Sequence, residues 1–164
     1  MSTAVPDFTR YANEVQQVFK IYDSFDDRTA HNNSIKVRPE VDRIFEAIAV
    51  EIIEDSPFEA KAQALSTTIE IAEWIIKNPS AIGHDIRQDL PWMALKPTIK
   101  YLLDMLLPEE LAALQADGEL PKAISNLRWR AQAYALDLRI DDSVDRLWLE
   151  ESDREDEDET HMAL

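Results

Sequence analysis

From Phe58 to Ile76 the apolar residues fall at Phe58, Ala62, Leu65, Ile69, Ala72 and Ile76. Steps of four and three keep them on one side of an α-helix and scatter them over both faces of a strand. The same stepping recurs elsewhere. Phe8, Tyr11, Val15, Val18, Phe19 and Tyr22 form one stripe, and Val41, Ile44, Phe45, Ile48 and Ile52 another. Ile124, Leu127, Ala131, Tyr134 and Leu138 form a third. The chain has only 2 glycines, too few for a fold built on tight hairpins. These features predict an all-α protein, a single compact bundle of six to eight amphipathic helices. With 164 residues, one domain is large enough to bury a core.

Prolines and polar caps set the predicted boundaries. A first helix is predicted over residues 6–22, followed by the polar loop "DSFDDRTAHNNS". The next helix is expected to start near Pro39. "SPFE" reads as a capping box, with Ser56 as cap, Pro57 in the first position and Glu59 closing it. That helix is predicted to end at Asn78-Pro79 and to lie at the centre of the bundle. Its expected neighbours are the helices over residues 39–54 and 121–139. Ser80 is predicted to cap a short helix that Pro91 stops. A helix interrupted at Pro97 follows. Another runs from Pro108 to Asp117-Gly118, and the next starts at Pro121 and reaches Arg139. A last short helix carries Val144, Leu147 and Trp148. The helical domain is expected over residues 5–149. Core placement is the expectation for Tyr134, and for Trp92 and Trp148 too, with part exposure of these two at a partner surface as the alternative.

Charge narrows the function. There are 33 acidic and 17 basic residues, a net charge of -16. Affinity for a phosphate backbone comes mainly from lysine and arginine, so direct nucleic-acid binding is not expected. The stretch "LRWRAQAYALDLR" is the one basic and aromatic segment. Its Arg128 and Arg130 are read as partners of the surplus carboxylates rather than of a nucleic acid strand. Eight of the ten residues over 150–159 are acidic: Glu150, Glu151, Asp153, Glu155, Asp156, Glu157, Asp158 and Glu159. This block is predicted to be a disordered tail over residues 150–164. There is no cysteine, which fits a reducing compartment. The N-terminus lacks the pattern of a signal peptide, and no apolar run is long enough to span a membrane. The expectation is a soluble, cytoplasmic protein that needs no cofactor.

Two patterns suggest metal chemistry. His84-Asp85, with Arg28 and His31 before it and Asp104 or Asp137 after it, resembles the ligand set of HD-type phosphohydrolases. That resemblance implies a divalent ion that acidifies a bound water. His31, however, falls in the polar loop, and His84 follows Gly83 in a short polar segment. The pair is therefore read as a solvated helix turn. Glu51-x-x-Glu54 and Glu70-x-x-Glu73 resemble the paired carboxylates of MazG-type all-α nucleotide pyrophosphohydrolases. That resemblance implies Mg²⁺ or Mn²⁺ held between two helices. The same glutamates also suit the exposed faces of amphipathic helices. No nucleophile elbow or glycine-rich phosphate loop is present.

The leading expectation is a non-enzymatic acidic module: an adaptor, an assembly factor or a nucleic-acid-mimicking inhibitor. It would dock on a basic protein surface, such as that of a nucleic-acid-binding protein, through the tail carboxylates and Trp148. The alternative is a Mg/Mn-dependent phosphohydrolase using Glu51, Glu54, Glu70 and Glu73.

Overall fold

A computed structural model describes residues 7–23, 30–136 and 138. The expected last helix, Trp148 and the acidic tail lie outside the described residues. The fold is all-α. Among the described residues are seven α-helices: α1 (Thr9–Asp23), α2 (Ala30–Val50), α3 (Phe58–Lys77), α4 (Ala81–Asp89), α5 (Leu95–Asp104), α6 (Pro108–Asp117) and α7 (Glu119–Gln132). A 3-10 turn, Leu90–Trp92, joins α4 to α5. None of these helices is long and apolar enough to cross a membrane.

The helix at the centre is α3, which packs against α1, α2, α4, α5 and α7. Its buried arc is wider than one stripe. Leu65, Ile69, Ala72 and Ile76 are buried as their spacing predicts, but so are Ala60, Ala64, Ile71 and Ile75. A helix with neighbours on several sides must be apolar on several sides. Phe45, Ile48 and Ile52 bring the α2 stripe into the same core. Phe8, just before α1, and Val15 and Phe19 of α1 are buried as well, and Phe19 meets Trp74 of α3 edge to face at 4.9 Å.

Several boundaries differ from expectation. The second helix begins at Ala30, not near Pro39, so the polar segment "AHNNS" is helical and Pro39 lies inside α2. Burial explains the difference. Asn33, Ser34 and Val37 are buried, and the side chain of Asn33 donates to the Tyr22 carbonyl at 3.3 Å. These tertiary contacts override the turn preference of the segment. Pro39 and Ile35 are exposed, and Pro39 offers no N–H to the Ile35 carbonyl one turn back.

Ser56 does not cap α3. Its hydroxyl accepts from the Ile53 N–H at 2.9 Å, and Pro57 takes the cap position. Phe58, the expected start of the stripe, is 38% exposed. At the far end of the chain α7 stops at Gln132 rather than reaching Arg139. Ala135 adopts a left-handed φ of 59°, and the Leu136 N–H returns to the Ala131 carbonyl at 2.9 Å. The turn buries Leu136 and Leu138 and leaves Tyr134 40% exposed, so Tyr134 is not a core residue.

Each glycine has a structural reason. Gly118 closes α6 with φ 80°, a conformation that side chains disfavour. Gly83 is packed against the turn before α4. Asn78 Oδ1 accepts from the Ser80 N–H at 3.0 Å, and Ser80 Oγ caps the helix by accepting from the Gly83 N–H at 2.9 Å. A Cβ on Gly83 would lie 2.5 Å from Asn78 Oδ1 and 2.8 Å from the Asn78 carbonyl oxygen. Gly83→Ala is expected to destabilise the fold by about 1–3 kcal/mol, as overpacking does. Thermal unfolding would check this, and an unchanged melting temperature would show that the turn yields freely.

Candidate functional site

His84 and Asp85 point to different partners. His84 is exposed at the start of α4, and its Nδ1 lies 2.9 Å from Arg87 Nη2. A guanidinium has no lone pair, so the imidazole nitrogen accepts this bond. Arg87 also donates to the Ile76 carbonyl at 3.1 Å and stacks 4.0 Å over the Tyr134 ring. Asp85 Oδ2 accepts from Ser34 Oγ of α2 at 3.2 Å. Asp85 and Arg87 thus fasten α4 to α2, α3 and the turn after α7, while His84 bonds only within α4. Of the other residues in that pattern, His31 lies in the first turn of α2 and Asp104 is exposed at the end of α5. Arg28 and Asp137 lie outside the described residues.

The two glutamate pairs sit at different heights along the bundle. Glu51 follows α2 and is taken by α1: Arg10 Nη2 reaches it at 2.7 Å and Tyr11 Oη at 2.6 Å. Burial, followed by the neighbouring Glu51 carboxylate, holds the Tyr11 phenol above its ordinary value. Glu54 is exposed in the α2–α3 connection. Glu70 and Glu73 lie on α3, about 18 Å and about 22 Å along the helix from Phe58 at about 1.5 Å per residue. Glu73 faces Lys77 at 3.8 Å. With Glu119 and Leu120 the pair lines a shallow groove of about 250 Å³ between α3 and α7. Among the described residues, no three His, Asp or Glu side chains are placed to hold one metal ion.

Sequence reasoning missed Lys61. It is 1% exposed, on the first turns of α3. Its Nζ donates to the Glu54 carbonyl at 2.7 Å and to Glu110 Oε1 of α6 at 2.7 Å. Glu110 also accepts from the Leu107 N–H at 2.9 Å, half of a capping box. Burial works against ionising Glu110, but the Leu107 amide and the Lys61 ammonium outweigh it and hold its carboxyl below the ordinary 4.5. One buried ion pair therefore ties the α2–α3 connection, α3 and α6 together. The two partners are 49 residues apart, so no local pattern announces them.

Large apolar side chains remain outside the core. Val50 is 78% exposed, Trp92 76%, Trp129 74% and Ile53 59%. Trp92 was expected in the core, but the 3-10 turn directs it outward while Leu90 and Met93 on either side are buried. Val50 and Ile53 carried a readable signal, since both are apolar at positions off the Val41-to-Ile52 stripe. Trp129 sits between Arg128 and Arg130 on the open side of α7. Comparison with protein-family models, curated proteins and solved structures returns no match.

Proposed function

We propose that this chain is a protein-interaction module that docks on a basic protein surface, as an adaptor, an assembly factor or a nucleic-acid-mimicking inhibitor. One observation carries the reading. A bundle with a well-filled core leaves Val50, Ile53, Trp92 and Trp129 exposed on a chain with net charge -16. Single exposed apolar residues are ordinary, but tryptophans about three-quarters exposed are characteristic interface anchors. Surplus carboxylates speed encounter with a cationic surface and repel acidic competitors. The reading includes a cytoplasmic location, which suits a chain without cysteine.

The test is affinity capture from source-cell lysate with the full-length chain, at low and at high salt, with bound proteins identified by mass spectrometry. The expected result is a partner of high isoelectric point that is captured at low salt and lost at high salt. Capture of nothing at low salt, or of partners indifferent to salt, would overturn the proposal.

A further inference from the structure

We infer that the docking surface is the end of the bundle where the α2–α3 connection meets the end of α5 and the start of α6, and that its occupant is a cationic amphipathic segment of another protein. The inference rests on the interaction-module reading above and narrows it to one partner chemistry and one surface, that of Val50 and Ile53 rather than of Trp92 or Trp129.

Hydrogen bonds bring these elements together. Tyr101 Oη of α5 donates to the Ile52 carbonyl at 2.9 Å. Lys61 links the Glu54 carbonyl to Glu110, and Glu110 in turn holds the Leu107 N–H. Five large apolar or aromatic side chains are exposed on these joined segments: Val50, Ile53, Phe58, Tyr101 and Leu107. Val50 and Ile53 lie off the Val41-to-Ile52 stripe, so the helix patterning does not account for them. Ile52 and Leu106, their buried neighbours, already serve the core.

The charge around them is predominantly negative, with Arg10, paired with Glu51, and Lys100 as the cations at its margin. Glu54, Asp55, Glu59, Asp104 and Glu109 are all exposed on the same segments. Asp104 lies three residues from Tyr101 and so shares its face of α5. Lys100, four residues before Asp104, neighbours that carboxylate on α5 and marks the basic edge of the patch. The cation within this end, Lys61, is buried and spent on Glu110 and a carbonyl. Exposed apolar side chains on predominantly acidic segments are complementary to a segment whose apolar side chains are flanked by lysine and arginine. A second copy would bring like charge against like. The acidic residues over 150–159 of the same chain are repelled for the same reason.

The test uses the isotope-labelled full-length chain and a short synthetic Leu/Lys amphipathic peptide as probe, with a Leu/Glu analogue as control. Amide shifts are expected to move mainly over residues 50–59 and 101–110, with no response to the Leu/Glu peptide. Val50→Ser combined with Ile53→Ser is expected to weaken binding roughly tenfold or more while leaving the melting temperature near its original value. Shifts confined to other residues, the tail included, would overturn the assignment, as would wild-type affinity in the double variant. Lysate capture separates the two levels of the account. Failure of the full-length chain to capture a partner removes the module reading itself. Equal capture of the same partner by the chain and by the double variant removes only this surface.

Discussion

Glu110→Ala should lower the stability of the fold by about 3–5 kcal/mol, because it strands the Lys61 ammonium in a site that is 1% exposed. The carbonyl of Glu54 remains as an acceptor but carries no compensating charge. Replacing both partners, with Lys61→Met and Glu110→Leu, should restore most of the loss, since apolar groups of similar size need no counter-charge. Urea unfolding of the three proteins checks both statements. A loss below about 1 kcal/mol in Glu110→Ala would place Lys61 in contact with water. The pair also sets an acid response. Glu110 has a folded value below its ordinary 4.5. Its contribution is therefore present above about pH 4.5 and is lost as pH falls through the lowered folded value. Glu110→Ala should show a shallower decline of stability with acid than the parent chain, and an identical decline would contradict the assignment.

Phe19→Ala should destabilise by a similar amount, about 3–5 kcal/mol. Phe19 is 1% exposed and its ring meets Trp74 at an interplanar angle of 76°. Truncation removes both the buried area and the ring contact that holds α1 on α3. The urea midpoint should fall without a change of slope, as expected if α1 unfolds together with the rest. A double-mutant cycle with Trp74→Ala should give a coupling of about 0.5–1.5 kcal/mol beyond simple area loss. A loss under about 1 kcal/mol for Phe19→Ala would mean that α1 does not belong to the cooperative core.

Much of the fold was legible because it was written in local signals. The α3 stripe, Pro108 at the start of α6, Gly118 at its end and the Ser80 cap are each set by residues a few positions apart. What misled the reading was decided by distant contacts. The start of α2 is fixed by burial of Asn33 and Ser34, whose composition alone favours a turn. Ser56 has the right identity for a cap, but its hydroxyl is already engaged by Ile53. The α7 stripe continues in sequence through Tyr134 to Leu138, yet the chain reverses at Ala135 and buries Leu138 by another route.

The candidate site was less legible still. The acidic balance of the chain is visible in composition, and His84-Asp85 and the glutamate pairs are visible as patterns. The patterns attach to different elements once folded: Glu51 to α1, Asp85 to α2, and His84 to Arg87. The apolar end around Val50 and Ile53 depends on the meeting of two stretches, residues 50–59 and 101–110, that are far apart in the chain. Off-stripe apolar residues were the one trace of it.

The most direct measurement of the central claim is the affinity of the full-length chain for its captured partner across a salt titration. The account predicts a dissociation constant that rises steeply from low salt to well above physiological ionic strength. An affinity that does not change across that range would contradict it.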